Sequence, residues 1–281
     1  MKYGSELEWF YDLVCLYGIT INCQLRLLKL IELFTLRNIQ AISANTDGVT
    51  CRIHKSQLDS YYEAVEEWKK LFTYTVEYSH YDLYVRTSVN DYLAKFDNGK
   101  IKRKCDFVID LAIEKGYGMP IVAKALNEYY LNNVPLEDTI YNKDHKYDIY
   151  DYCLTQNVSK EYATELHSLG KDTKGNAIKQ IDPIQHTVRY IVTKTGSVFM
   201  KRQLVASIDK KTGKKKPIKQ ISVLAKQYIT PFNRYFPVKD FSDYNLEYSW
   251  YMIKAREIVN NIAGTSTKMM KKTSGSLFDN L

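Results

Sequence analysis

The stretch from Ile39 to Ile53, reading IQAISANTDGVTCRI, constrains this chain more than any other. Two apolar-rich runs of strand character, Ile39–Ala44 and Val49–Ile53, flank Asn45-Thr46-Asp47-Gly48. Asp-Gly between such runs signals a hairpin, because Gly tolerates the positive φ of a tight turn. Asp47 is therefore expected at a hairpin tip, held by rigid strands with its carboxylate facing out of the sheet. A carboxylate so placed suits a hard divalent cation such as Mg²⁺, which takes oxygen ligands and shares its shell with phosphates. Asp-Gly also fills ordinary polar turns, and spacing alone leaves that reading open.

The surroundings of this hairpin read as alternating helices and strands. Leu27, Leu30, Ile31 and Phe34 fall at i, i+3, i+4 and i+7, which predicts a helix over Ile19–Leu36. Apolar groups occupy so much of its circumference that it is expected to be largely buried. Ser56 is expected to cap a second helix, Gln57–Phe72, with an apolar face of Tyr61, Tyr62, Val65, Trp68 and Phe72. Strands are expected at Tyr74–Tyr78 and Tyr81–Val89, the second with half-buried alternation. A second hairpin follows, Asp91–Phe96 and Lys100–Cys105 around Asp97-Asn98-Gly99. Alternation puts Lys100, Lys102 and Lys104 on one face, a ladder able to follow a phosphate backbone, with Arg103 between them. An edge strand protected by lysines has the same pattern.

Beyond about Asp110 the chain is expected to be mainly helical, with helices at Ile121–Leu131, from Pro135, and over Ser242–Ile262. A loop is expected over Lys171–Asn176, and a third hairpin is read from Val188–Val192 through Lys194-Thr195-Gly196 to Val198–Lys201. Lys210–Lys219 is a lysine-rich turn, a solvated loop or a source of salt-sensitive attraction for nucleic acid. Gly264–Gly275 is small and polar, with the composition of a disordered tail. Ser276–Leu281 restores hydrophobicity at its end.

Composition narrows the chemistry. The 281 residues carry a net charge of +8, which favours a polyanionic partner, nucleic acid or an anionic membrane surface. Cys15, Cys23, Cys51, Cys105 and Cys153 are scattered without a C-x-x-C pair, which argues against zinc and disulfides and fits a reducing cytoplasm. No phosphate-binding Gly-rich loop and no His-x-x-x-His pair is present. Met1–Asp12 is charged throughout, unlike a secretory signal, and no uncharged run reaches the roughly 20 residues that span a bilayer, so no membrane role is expected.

Asn45-Thr46-Asp47-Gly48 after an Ile/Ala strand resembles the third palm motif of family B DNA polymerases, usually Asp-Thr-Asp-Ser, in the form common among phage members. The preceding Ile19-Thr20-Ile21-Asn22-Cys23-Gln24-Leu25 and the Leu-rich run to Phe34 resemble the helix before that motif. Helix, hairpin, helix, strands is the order of such a palm. Val89-Asn90-Asp91-Tyr92-Leu93-Ala94 resembles the family's Lys-x-Tyr region: Tyr92 matches the tyrosine, while Asn90 stands where lysine is usual. Val122–Tyr130 with Val134–Ile140, then Val188–Val192 with Gly196 and Val198–Lys201, and finally Asp243–Tyr248, are similar to successive thumb segments. Lys2-Tyr3-Gly4 and Trp9–Asp12 resemble the region just after the second palm motif. The Lys-bearing helix of that motif, the Asp-x-x-Ser-Leu-Tyr-Pro of the first and a proofreading domain are not found in these residues.

The resemblance implies an α+β chain: a partial palm over 1–110, an antiparallel sheet with covering helices, then a mainly helical thumb over 111–263 and a flexible tail over 264–281. It implies DNA-directed DNA polymerase chemistry, a nucleotidyltransferase using two Mg²⁺ ions. Asp47 would be the catalytic, metal-binding position and Asn45 would replace its usual acidic neighbour. The other metal-binding carboxylate and the triphosphate-gripping lysine would come from a missing palm segment, an upstream polymerase chain. Primer-template DNA is the implied partner of Tyr92, Lys100, Lys102, Arg103 and Lys104, and deoxynucleoside triphosphates are the implied substrates. The terminal peptide is a candidate for docking a sliding clamp. The alternative is a non-catalytic DNA-binding remnant or processivity subunit.

Overall fold

The computed structural model describes residues 12–45, 47–109, 118–171, 177–206, 213, 215–225, 227–232 and 241–264. The expectations for the first eleven residues, Thr46, most of the 171–176 loop, residues 210–212 and 214 of the lysine-rich turn, and the tail with its terminal peptide lie outside them. The fold is mixed α and β with antiparallel sheets. Two compact units emerge, residues 1–82 with 95–100, and residues 83–94 with 101–281.

The first unit is built on helix α1, Leu13–Leu36. Asp12 starts it by accepting the Cys15 backbone N–H at 3.0 Å, leaving one fewer unpaired donor in the first turn. Asn38 ends it with φ 55°, a left-handed conformation Asn tolerates, and the Ile39 N–H returns to the Phe34 carbonyl at 2.9 Å. The chain thereby turns straight into strand β1, Gln40–Ala44, which pairs antiparallel with β2, Val49–Arg52. Helix α2, Leu58–Phe72, packs back on α1. Leu30, Leu33, Phe34, Ile39, Ala64, Val65 and Trp68 form the core between these elements. Trp68 Nε1 donates to the Arg26 carbonyl at 2.7 Å, and the Phe34 and Tyr61 rings stack at 5.1 Å.

Several expectations for this unit need correction. Helix α1 is not largely buried: only Leu30, Leu33 and Phe34 are, all in its C-terminal half. By length and composition alone it is long and apolar enough to cross a membrane, with Arg26, Lys29 and Glu32 in its second half. Ser56 does not cap α2. A 3-10 turn over Lys55–Gln57 precedes that helix, capped by His54, whose Nδ1 accepts the Ser56 N–H at 3.3 Å. Residues 73–80 form no strand; Thr73, left-handed at φ 54°, ends α2, and Tyr74 and Tyr78 are drawn onto the Trp68 and Tyr61 rings instead.

Strands β3 (Tyr81–Ser88), β4 (Asp91–Phe96) and β5 (Ile101–Arg103) form a three-stranded sheet in that order. Gly99, at φ 80°, makes the β4–β5 turn, as the Asn-Gly signal requires.

The second unit is not mainly helical, which corrects the expectation for 111–263. Its helices are α3 (Pro120–Asn132), α4 (Leu136–Ile140) and α5 (Tyr248–Ile262). Among the described residues, seven strands lie between α4 and α5: β6 (Leu154–Asn157), β7 (Tyr162–Lys171), β8 (Ala177–Pro183), β9 (Thr187–Thr193), β10 (Ser197–Gln203), β11 (Gln220–Ser222) and β12 (Tyr228–Pro231). They form one sheet in the order β6-β9-β12-β10-β7-β8, with β11 also on β10. The hairpin expected from Gly196 is therefore opened: β12 enters between β9 and β10, pairing Thr230 with Ile191 and Ser197 with Ile229. Gly196 permits this, because at φ 142° a Cβ there would lie 2.6 Å from the Ile229 carbonyl oxygen. Helix α3 buries Ile121, Val122, Ala125 and Leu126 in a core shared with Tyr190, Ile191, Phe199 and Tyr251. Tyr251 ties it together: its hydroxyl accepts the Val192 N–H at 2.9 Å and donates to the Tyr152 carbonyl at 2.8 Å.

Candidate metal and nucleic-acid sites

Asp47 stands at the tip of the β1–β2 hairpin, exposed, as the sequence predicts. The tip is closed by two hydrogen bonds. The Asn45 N–H donates to the Gly48 carbonyl at 2.9 Å, and the Asp47 N–H donates to Asn45 Oδ1 at 3.0 Å. Asn45 thus holds the Asp47 backbone rather than contributing charge. Gly48 does not adopt the left-handed conformation expected of it, and a Cβ there would meet nothing within 4 Å. The turn closes through the Asn45 side chain and needs no positive φ at Gly48. A bulge between Ala41 and Ser43 sharpens the local twist of the strand leading to the tip.

The Asp47 carboxylate fits one place in the shell of a hard cation, being exposed and borne on a paired hairpin. Among the described residues no three of His, Cys, Asp and Glu gather where they could hold a metal. A single carboxylate leaves most of the charge of two divalent ions uncompensated, so any such centre needs further ligands from outside the described residues.

The second hairpin carries the basic residues. Lys100, Lys102 and Lys104 are exposed, while Ile101 and Arg103 between them are partly buried. Arg103 is therefore not on the ladder. Its Nε donates to Asn127 Oδ1 at 2.6 Å, and the Asn127 amide in turn donates to the Phe107 and Ala123 carbonyls at 2.9 and 2.8 Å. This link between β5 and α3 was invisible in the sequence, since Asn127 reads there as one polar residue in an apolar helix.

Tyr92 is half-buried and stacks on Tyr84 of β3, with ring centroids 5.6 Å apart. The Lys102 ammonium lies 5.8 Å from the Tyr92 centroid. Lysine and tyrosine of the expected DNA-contacting set are thus brought together on one hairpin. Tyr84 joins them from the neighbouring strand, a residue that the sequence reading did not single out.

Next to Tyr92, at the start of β4, Asp91 accepts the Asp106 N–H at 3.1 Å and also receives the Thr87 hydroxyl. Partial burial, and then the Asp91 carboxylate beside it, push the Asp106 carboxyl up to about 6. All five cysteines are free thiols.

No protein-family model, no curated protein and no solved structure matches this chain.

Proposed function

We propose that this chain is a C-terminal part of a DNA-directed DNA polymerase of family B type, supplying one metal-binding carboxylate and a grip on primer-template DNA. The observation that carries the reading is Asp47, an exposed carboxylate on a paired hairpin that follows an apolar helix and bears the Asn-Thr-Asp-Gly sequence. In nucleotidyl transfer, two metal ions roughly 3.5–4 Å apart activate the primer hydroxyl and steady the pyrophosphate leaving group. Asp47 would supply oxygen ligands to that centre, and Asn45 fixes the backbone that presents it. The remaining carboxylate and the lysine that grips the triphosphate belong to polypeptide outside these 281 residues, so the chain alone is inactive. Lys100, Lys102 and Lys104 follow the duplex backbone, with the Tyr84–Tyr92 pair as an aromatic wall beside Lys102. Arg103 acts in this reading through Asn127, as a support for the strand.

The test is primer extension with this chain and a polypeptide bearing the first and second palm motifs, expressed from the same genome. Extension is expected only with both chains and Mg²⁺, and is expected to stop on chelation. Asp47→Ala is expected to lower incorporation at least 100-fold while junction binding stays within about twofold, since a metal ligand acts on the chemical step. Full activity of that variant removes Asp47 from the mechanism.

A second reading rests on the lysine ladder and its tyrosines, which stand regardless of Asp47. It makes the chain a DNA-binding subunit without chemistry. Junction-selective binding with no extension under any pairing favours it.

A further inference from the structure

Within the second unit, the outer face of strands β3 to β5 gathers aromatic rings and cations together. The Lys104 N–H donates to the Tyr92 carbonyl at 2.9 Å, which fixes the register of the β5 segment on β4. Lys104 is still extended there, at φ −136° and ψ 145°. Strand alternation then sets Tyr92 on the same face as Lys102 and Lys104, while Val85 and Leu93 point the other way into the core. Tyr84 reaches this outer face from β3, where its ring stacks on Tyr92, and alternation adds Arg86 two positions further on. Two half-buried rings therefore occupy the middle of the face, with exposed cations on either side: Arg86 on β3, Lys102 and Lys104 at β5. Neither Arg86 nor Lys104 is held in an ion pair among the described residues.

This pattern discriminates among occupants. Cations without acidic partners call for an anion, and lysines two apart on a strand, about 7 Å, form a line that a chain of phosphates can follow. The rings call for a planar apolar surface next to those phosphates. In a duplex the base faces are covered by their neighbours in the stack, so rings lying on a sheet meet only backbone and groove edges. In an unpaired strand the faces are open, and every base offers one. Tyrosines half-buried in a sheet do not reach out to insert into a bilayer. The Lys102 ammonium, 5.8 Å from the Tyr92 centroid, sits near the ~6 Å limit of a cation–π contact, so it is readily given up to a phosphate.

We propose that this face is a stacking platform for the unpaired bases of single-stranded DNA, with Tyr84 and Tyr92 taking bases and Arg86, Lys102 and Lys104 taking the flanking phosphates. The inference deepens the DNA-binding reading above and rests on it, independently of Asp47. It assigns Lys102 and Lys104 to the unpaired strand of a primer-template rather than to its duplex part. A grip of lysines alone favours the duplex, whose charge density is higher. A grip that includes the rings favours the single strand.

The experiment measures binding of the full chain, by fluorescence anisotropy at one fixed salt concentration, to three labelled probes. These are oligo-dT, a duplex of equal length, and a strand of abasic sites that keeps the phosphates without the bases. Oligo-dT is expected to bind at least 10-fold tighter than either of the others, since both deny the rings a base to stack on. Tyr92→Leu and Tyr84→Leu are each expected to weaken oligo-dT binding roughly 5- to 50-fold with duplex binding held within about twofold, and Tyr92→Phe, which keeps the ring, to retain it. Circular dichroism checks the folding of the leucine variants, and the abasic comparison needs no variant at all. Equal binding of oligo-dT and the abasic strand by wild type overturns the proposal. A duplex bound more tightly than oligo-dT, with no effect of either tyrosine, overturns it too and leaves the lysine grip on duplex DNA in place. Tighter binding of oligo-U than of oligo-dT by about tenfold or more overturns it in favour of RNA. Failure to bind any probe ends both the proposal and the DNA-binding reading. Tyrosine-dependent binding of oligo-dT without Mg²⁺-dependent extension in any pairing would sink the polymerase reading and leave the platform standing.

Discussion

Lys102 is exposed on β5, with its ammonium over the Tyr92 ring. Replacing it with Gln keeps much of the stem and removes the charge. If it contacts a phosphate, Lys102→Gln should weaken primer-template binding about 3- to 10-fold, uniformly across sequences. The slope of log affinity against log salt should fall by about 1. An unchanged slope would show that Lys102 meets no phosphate. Asp106 gives a prediction of a different kind. Its carboxyl is raised from 3.8 to about 6, so the fold favours its protonated form. The associated stability is complete below about pH 3.8 and is lost as pH rises through about 6. Asp106→Asn keeps a side-chain donor toward Asp91 and removes the repulsion. It is expected to stabilise the protein by about 1 kcal/mol at pH 7.5, discounted for the solvent that reaches this pair, and to gain nothing below pH 4. Urea unfolding at the two pH values checks both halves of this statement.

Elements with a strong local signal were legible in advance. The β1–β2 turn and the Asn98-Gly99 turn carry their own turn chemistry, and the i, i+3, i+4 pattern of α1 and α2 comes directly from the residues. Asp47 at a hairpin tip and the face shared by Lys100, Lys102 and Lys104 followed from this. What failed was non-local. Periodicity finds the apolar faces of α1 but cannot say which of two has a neighbour, so burial was expected where exposure is found. Residues 188–201 read as a simple hairpin because nothing near Gly196 announces a strand arriving from position 228. The helical pattern beyond 110 was generalised from α3 and α5 over strands whose pairing partners lie far along the chain. Gly196 is the residue that records the true arrangement. Gly196→Ala places a methyl 2.6 Å from the Ile229 carbonyl in a conformation L-residues avoid. A loss of about 2–4 kcal/mol in unfolding free energy is expected, from backbone strain and displaced pairing together. A cost under about 0.5 kcal/mol would mean β12 does not pass so close.

At the scale of the molecule, two hydrophobic cores imply two centres of stability. Tyr251 belongs wholly to the second, where one hydroxyl satisfies a backbone donor and a backbone acceptor on different segments. Tyr251→Phe leaves both unpaired at full burial, costing about 1–3 kcal/mol. Hydrogen exchange should show that loss in β9 and α3 while amides of α1 and α2 keep their protection. Equal loss in both sets would mean the cores unfold as one. The position of β12 has a further consequence, for the chain as it is synthesised. When β9 and β10 have left the ribosome, the strand that separates them has not yet emerged; it follows some 25 residues after β10 ends. Until then β9 and β10 face each other across the gap that β12 will fill, each with an unpaired edge. Direct pairing of the two is an off-pathway hairpin that must break before the sheet closes. A nascent chain stalled short of residue 228 should therefore be more protease-sensitive through β9 and β10 than one released at residue 264, and should be the length at which chaperones are most needed.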